Sequence, residues 1–430
     1  HTMKRSIITL RSLAAWLALA TLALTACSDQ PDEYKPTGGS PQVQYIRLPE
    51  SADSIITQSY MQRTICLVGN NLRSVRRMFF NDKEAVLNSS FITDNTLLVD
   101  IPGEIPSAVT DKIYMVNGDG DTTTHAFHVI VPPPSVKAMN CEYAPAGEEV
   151  TITGDYFIQD PYKPLQVLFN DGALAVTDIK SITKNSITFT MPTGAAAGRV
   201  IVQSVYGKGE SDFVYKDTRN IIFDFDGSHG GMAKGHGWRA GNIRAGGIDG
   251  SYLYFGGVKM LGKVGATWAE DNFAINYWPE PNNNFPEISS IPAIAAMLDT
   301  CSISDLVLKF ECRVPANKAW RASALQVIFT GNTDVTYTNA NSQYYGKKDL
   351  PRGLWIPWQA TGSYNTGDKW VTVSMPLSAF NKTGDGQTAG SALTKDRLTG
   401  FTFFLWNGGV EGTDCEPELY IDNVRLVPAK

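Results

Sequence analysis

Short runs in which apolar and polar residues alternate dominate the chain, and they predict β-strands. In runs such as Val371–Met375 and Phe401–Trp406, every second side chain falls on the same face of a strand. Gly, Pro and Asn separate the runs, and no long window beyond the N-terminal segment has the periodicity of an amphipathic helix. We therefore expect an all-β protein built from short strands and turns.

The N-terminal segment has the pattern of a signal peptide. His1 and Thr2 precede Met3 and look like vector-derived residues; a basic stretch and an apolar run over 14–26 then follow. The apolar run is too short for a stable membrane span. Its end, Leu-Thr-Ala-Cys at 24–27, resembles a bacterial lipobox, which implies a lipid on Cys27. The alternative is a plain secretory signal with an incidental cysteine.

An internal repeat occupies the region that follows. Four elements recur in the same order, which chance does not readily produce. The first copy contains TICLVG, FFND, NTLLVDIP and YMV, and the second contains VTITG, LFND, NSITFTMP and IVQ. Each copy has the length of an immunoglobulin-like sandwich and resembles IPT/TIG domains. The proline run at 132–134 predicts a semi-rigid spacer between the copies.

The composition changes after the second copy. Eight of the nine tryptophans lie in the C-terminal block, and so many short strands over that length predict a β-jelly roll. The chain is therefore predicted to divide into vector-derived residues plus a lipoprotein signal peptide (1–27), a linker (28–41), two IPT/TIG immunoglobulin-like sandwiches (42–132 and 133–218) and a jelly-roll domain (219–430).

Four motifs carry a family resemblance in the C-terminal block. They are WIPW (355–358), GSYNTG (362–367), WVTVSMPL (370–377) and YIDNVRL (420–426). With the lipobox and the tandem sandwiches, the block resembles the surface glycan-binding proteins of Bacteroidetes, B type, whose C-terminal domain binds xyloglucan or β-glucan. The resemblance implies non-catalytic polysaccharide binding without a cofactor. It also implies partnership with an outer-membrane transporter and a companion glycan-binding lipoprotein. The acidic residues after Cys27 resemble the export signal of such lipoproteins, which implies a lipid-anchored protein on the exterior of the outer membrane.

A platform of about three aromatic rings is implied by the resemblance, and strand parity suggests which rings supply it. Trp320 and Gln326 have the parity opposite to Leu325, Val327 and Phe329. Trp278 and Asn276 likewise oppose their apolar neighbours, and Tyr344-Tyr345 occupies a polar stretch. Trp358 shares the parity of the apolar Leu354 and Ile356, and Trp370 is expected to be structural. For every tryptophan the alternative is core packing. The candidates are Trp278, Trp320, Tyr344, Tyr345, Trp355, Trp358, Trp406, Asn276 and Gln326.

Three carboxylates form a weak candidate calcium site. Asp224 and Asp226 lie on the first strand of the block and Asp422 on the last, and Ca²⁺ prefers such oxygen ligands. The alternative is that they cap strand ends. No other cofactor is expected.

Charge and acid spacing narrow the function further. The net charge is −6 and no basic run follows the signal peptide, which disfavours nucleic-acid binding. The acids at 411–418 are interrupted by Gly412 and Pro417, as in a loop, rather than spaced to face one another as a glycosidase requires. We predict a binding protein and not an enzyme. A jelly-roll glycoside hydrolase or lyase and a structural adhesin are the alternatives.

Overall fold

The computed structural model describes residues 38–228, 242–263, 270–277, 300–330, 351–398, 400–406 and 410–430. Within these ranges the chain is all-β, as predicted, apart from short 3₁₀ turns and one α-helical turn, Glu270–Phe273. None of the helices in these ranges has the length and apolar character needed to span a membrane. The contacts divide the chain into two compact units, His1–Pro132 and Pro133–Lys430. The finer segment boundaries stay a prediction.

The first unit is a two-sheet sandwich. One sheet has the order β1-β3-β6, the other β5-β4-β7-β8, and β2 pairs with β9 in parallel. Alternate residues of the strands, such as Ile65 and Leu67, fill the core between the sheets. The strands are β1 (Gln42–Arg47), β2 (Gln58–Tyr60), β3 (Thr64–Asn70), β4 (Val75–Phe80), β5 (Lys83–Ala85), β6 (Thr96–Asp100), β7 (Lys112–Asn117), β8 (Thr122–Ala126) and β9 (His128–Ile130).

The second unit begins with a sandwich of nearly the same topology. Its sheets have the orders β10-β11-β15-β14 and β13-β12-β16-β17. The predicted repeat is therefore confirmed for the seven strands that the copies share, while β2 and β9 of the first copy and β14 of the second have no described counterpart in the other copy. The strands are β10 (Ser135–Met139), β11 (Glu149–Asp155), β12 (Gln166–Phe169), β13 (Leu174–Ala175), β14 (Ile179–Ile182), β15 (Ser186–Thr190), β16 (Ile201–Ser204) and β17 (Gly207–Glu210).

Two repeated residues explain how each copy closes. The side-chain amides of Asn95 and Asn185 donate to the carbonyl oxygens of Gly69 and Gly154, each at 3.1 Å. A Cβ atom at either glycine would clash with a backbone carbonyl at the start of the neighbouring strand, β1 or β10. Glycine therefore permits the close approach of two strands in both copies.

The C-terminal block packs two sheets over one apolar core. The larger sheet has the order β19-β20-β27-β22-β25, with β18 also paired to β27, and the smaller has the order β21-β26-β23-β24. The predicted jelly-roll order of the strands stays a prediction. The strands are β18 (Ile221–Phe223), β19 (Ile243–Ala245), β20 (Ser251–Phe255), β21 (Ala274–Tyr277), β22 (Leu306–Arg313), β23 (Leu325–Thr330), β24 (Gly353–Trp355), β25 (Val371–Pro376), β26 (Gly400–Leu405) and β27 (Leu419–Pro428).

The cysteines of the described ranges are core residues. Cys66, Cys141, Cys312 and Cys415 are buried, Cys301 is half-buried, and none of the five forms a disulfide. Burial raises the pKa of the Cys141 thiol to about 12, so it is protonated at neutral pH. These side chains act as small apolar groups.

Candidate functional site

A cluster of aromatic rings around Trp355 packs in and against the core of the C-terminal block. The ring of Trp355 contacts Trp320, Phe310 and Tyr364 edge to face, with centroids 5.4, 5.5 and 5.5 Å apart. Strand β24 positions Trp355 by pairing it with Leu325. Trp355 is partly exposed, as a platform residue must be, whereas Trp320 and Phe310 are fully buried.

The predicted outward orientation of Trp320 is wrong. Its exposed fraction is 0%, and its indole nitrogen donates to the carbonyl oxygen of Ala322 at 2.5 Å. Strand β23 begins only at Leu325, and Ser323 has a φ of 64°, which turns the chain between Trp320 and the strand. Strand parity therefore does not extend back to Trp320. A fully buried ring presents no face to a sugar, which removes Trp320 from the candidate platform.

Trp358 and Gln326 are also buried. The indole nitrogen of Trp358 donates to the carbonyl oxygen of Ser323 at 2.8 Å, and the ring is 5% exposed. The Gln326 side chain accepts a hydrogen bond from Arg352 at 2.8 Å and is 2% exposed. Both faces of the smaller sheet are therefore buried at β23, whereas the parity prediction assumed that one face meets solvent. This burial excludes both side chains from direct contact with a ligand.

The remaining candidates differ in whether the structure describes them and in where it places them. Trp278, Tyr344 and Tyr345 lie outside the described residues. Asn276 lies in β21, where its backbone pairs with Thr402 of β26. Trp406 directly follows β26 and is partly buried. Among the described aromatic candidates, Trp355 and Trp406 are thus the two that are half-buried rather than buried.

A second aromatic cluster, on the outer face of the larger sheet, was not predicted. Tyr252 and Tyr420 lie 4.9 Å apart between ring centroids, and Trp370 approaches Tyr252 at 6.1 Å. The guanidinium of Arg244 lies 3.3 Å from the centroid of Tyr254, which shields that ring. The alternation of tyrosines with Leu253 and Phe255 in the run Ser-Tyr-Leu-Tyr-Phe of β20 is the signal that would have identified Tyr252 and Tyr254. Trp370 also packs against the core of the second sandwich, which agrees with its expected structural role.

The proposed calcium ligands are engaged in local hydrogen bonds. The carboxylate of Asp224 accepts from the backbone of Asp226 and Gly227, and that of Asp226 accepts from the backbone of Ser251. Asp422 is fully buried, and burial raises its pKa to about 9. Over the described ranges, no group of three or more His, Cys, Asp or Glu residues is arranged to hold a metal.

A buried ionic cluster joins the C-terminal block to the second sandwich. Arg425 of β27 is 0% exposed and donates to Glu311 of β22 at 2.7 Å and to Glu142 of the sandwich at 2.8 Å. Lys309 donates to the other oxygen of Glu142 at 2.6 Å. Burial raises the pKa of Glu311 to about 7, while the Arg425 guanidinium opposes that shift. Two cations and two carboxylates thus share one desolvated junction.

Comparison with known proteins assigns the two parts of the second unit. Residues 215–428 match the surface glycan-binding protein B xyloglucan binding domain, and residues 134–218 match the IPT/TIG domain. The chain is 35% identical to the surface glycan-binding protein PbSGBP-B from Prevotella bryantii, with a TM-score of 0.77. That similarity covers 91% of this chain and 100% of the Prevotella chain.

Two further relatives are more distant. The SGBP-B from a complex xyloglucan utilization locus in Bacteroides uniformis is 17% identical, covering 91% of this chain and 100% of that chain, with a TM-score of 0.43. An IPT/TIG domain-containing protein of Bacteroides ovatus is 25% identical over 229 residues, which is 49% of this chain and 45% of the relative. The chain thus spans less than half the length of that curated relative. The full-length similarity to the Prevotella protein is decisive: this chain belongs to the surface glycan-binding protein B family.

Proposed function

We propose that this protein binds a β-glucan-type polysaccharide, with xyloglucan as the first candidate, through its C-terminal block. The observation that carries the proposal is the 35% identity to PbSGBP-B over the whole of that chain. The family description of residues 215–428, a xyloglucan binding domain, supports the choice of glycan.

Trp355 is the described residue best placed to contact the sugar. Pyranose rings present C–H faces that stack on flat aromatic rings, and such stacking needs a firmly held ring. Three edge-to-face neighbours hold Trp355 in place while it stays partly exposed. We propose that Trp278, Tyr344, Tyr345 and Trp406 supply the other rings, with Asn276 bonding to sugar hydroxyls.

The binding is proposed to be non-catalytic. Glycoside hydrolysis needs two facing carboxyl groups, one with a raised pKa. In the described part of the chain, the acids with raised pKa are Glu311 and Asp422, and both are completely buried. Asp414 of the 411–418 loop has a lowered pKa because Lys259 pairs with it. These environments favour a binder over a hydrolase or lyase.

Affinity electrophoresis of the full mature chain tests the binding. Xyloglucan, mixed-linkage β-glucan and mannan are embedded in parallel gels, and reducing ends are assayed in the same samples. We expect retardation by xyloglucan or β-glucan without release of reducing ends. No retardation by any of the glycans would contradict the proposed function. Release of reducing ends would support the alternative of a hydrolase or lyase.

Substitution of single aromatic residues tests the platform. We expect Trp355→Ala to weaken binding at least tenfold, because stacking of a planar ring is worth about 1–3 kcal/mol by analogy with base stacking. Tyr162→Ala is the matched control, since Tyr162 is 95% exposed and lies in the second sandwich. Equal affinities of the two variants in calorimetry would exclude Trp355 from the site.

The cellular setting is also a proposal. The surface role of the family agrees with an outer-membrane lipoprotein anchored through Cys27 and facing the exterior, where it passes glycan to a transporter and a companion lipoprotein. Several acyl chains on one cysteine give stable anchoring. We expect Cys27→Ser to move the protein from the membrane to the soluble fraction, as judged by immunoblotting. Retention of the variant in the membrane would contradict the anchor.

A further inference from the structure

An open groove runs along one sheet edge of the first unit. Its volume is about 740 Å³, and its floor follows β6 and the residues after it. Strand β6 is the last strand of the sheet β1-β3-β6, so one side of its backbone faces the groove. The lining residues used below are Glu84, Val86, Phe91, Leu98, Asp100 and Glu104.

The second copy of the repeat shows what fills the equivalent position. There β14 pairs with β15, from Ile179 opposite Phe189 to Ile182 opposite Ile187. In the first copy the corresponding pairing in the described chain is a single bridge, Ile92 with Leu97. Beyond that bridge, no described strand pairs with the edge of β6 from Leu98 to Asp100 that faces away from β3.

Local sequence explains the missing strand. Asn88 accepts a hydrogen bond from the backbone of Ser90 at 3.0 Å and so caps a 3₁₀ turn, Ser89–Phe91. Asn and Ser favour such local bonds over strand pairing. The equivalent segment of the second copy begins with Ile179-Lys180, and Ile179 and Ile182 pack against the sandwich core.

The groove combines apolar side chains with acidic ones. Val86 is 90% exposed and Phe91 is 55% exposed, although both side chains are large and apolar. Among the described residues that line the groove, Glu84, Asp100 and Glu104 are acidic and none is Lys or Arg. Arg77 pairs with the Glu84 carboxylate, whereas Asp100 accepts a hydrogen bond only from the uncharged Thr64 hydroxyl in the described contacts, so Asp100 and Glu104 keep their negative charges for a basic ligand. The groove therefore suits an extended chain that carries apolar and basic side chains.

We propose that the first unit binds an extended segment of a partner protein, which adds to β6 as the missing fourth strand. Unpaired edge strands accept such segments through main-chain hydrogen bonds. Val86 and Phe91 receive its apolar side chains, and Asp100 and Glu104 receive its Lys or Arg. A second copy of this chain fits less well, because two β6 edges would bring like charges together.

A peptide with the sequence of the native filler provides the probe. The capped peptide corresponds to residues 177–184, which include β14 and two lysines. It is titrated into the full mature chain by calorimetry, and hydrogen exchange is followed over residues 96–101. We expect saturable binding, at least fivefold slower exchange in that segment, and at least tenfold weaker binding of a peptide N-methylated on its edge-facing amides.

Two variants identify the groove as the binding site. Val86→Ser should weaken peptide binding at least fivefold, while Ile55→Ser, at a position that is 74% exposed and outside the groove, should leave it unchanged. No binding of the peptide, or equal binding by the two variants, would overturn the proposal. So would protection of residues 96–101 by xyloglucan oligosaccharides, or a dimer in sedimentation that Val86→Lys abolishes.

Discussion

Trp320 is the residue at which strand parity and burial disagree. Parity places it opposite to Leu325, yet it is buried among Trp355, Ala322 and the strands of the core. The positive φ of Ser323 lies between the two residues and resets the direction of the side chains. A tryptophan near a strand can therefore be assigned to a face only when the strand is continuous.

Truncation of Trp320 should destabilise the C-terminal block, because the ring belongs to the core and not to the binding surface. We expect Trp320→Ala to lower the free energy of unfolding by about 3–5 kcal/mol, because a large buried side chain leaves a cavity. Trp320→Phe fills most of that space and should cost about 1–2 kcal/mol, including the lost indole hydrogen bond. Urea denaturation followed by fluorescence measures both. If Trp320→Ala instead bound glycan more weakly but kept its stability, Trp320 would belong to the binding surface.

At the scale of elements, the two sandwiches share one strand pattern but differ in whether one sheet edge is covered by a further strand. The shared strands keep their order, and Gly69 and Gly154 occupy the same close approach between strands. The difference is local, because Asn88 caps a turn where the second copy forms β14. A few polar residues thus decide whether a sheet edge is covered.

The contribution of the shared glycine to stability can be tested by substitution. We expect Gly69→Ala to lower the free energy of unfolding by about 3 kcal/mol, because its Cβ would meet the backbone of β1 and force the strands apart. Gly118→Ala is the matched control in the same unit, since its Cβ would meet only the flexible end of Arg76, at 3.5 Å. Chemical denaturation compares the two. Equal stabilities would mean that β1 moves away without cost.

At the scale of the whole molecule, the second sandwich and the C-terminal block form one unit. Besides the Arg425 cluster, the backbone amide of Thr372 donates to the carbonyl oxygen of Asn140 at 2.8 Å, and the Thr372 hydroxyl accepts from the Glu142 amide at 2.7 Å. Trp370 and Ile248 pack against the sandwich core. These contacts fix the orientation of the block that carries the proposed sugar site.

Removal of one charge from the junction should be costly. We expect Glu142→Ala to lower the free energy of unfolding of the second unit by about 3 kcal/mol, because a buried cation loses a partner. Glu149→Ala, at an exposed position on the same sandwich, should change it by less than about 0.5 kcal/mol. Thermal and urea unfolding of both variants provide the measurement. A stable Glu142→Ala variant would show that solvent enters the junction and replaces the carboxylate.

Separation of the block from its sandwich extends that test. We expect residues 219–430 alone to melt at least 5 °C below residues 133–430, because Arg425, Trp370 and Ile248 then lose their partners in the sandwich. Differential scanning calorimetry compares the two fragments. Equal melting temperatures would indicate that the junction adds nothing to the stability of the block.

The sequence alone determined the fold class, the repeat and the family. Alternation, turn residues and ordered motifs involve residues that are close in sequence, so they can be recognised without knowledge of the tertiary structure. It also identified Trp355 as a candidate, because Trp355 has the strand parity opposite to the apolar Leu354 and Ile356. Tertiary structure decided the rest. Burial of Trp320, Trp358 and Gln326 depends on which surfaces meet, and the Arg425 cluster joins residues 283 positions apart. The groove beside β6 likewise exists only because a neighbouring segment fails to pair. Such features depend on contacts between distant segments, which strand periodicity does not encode.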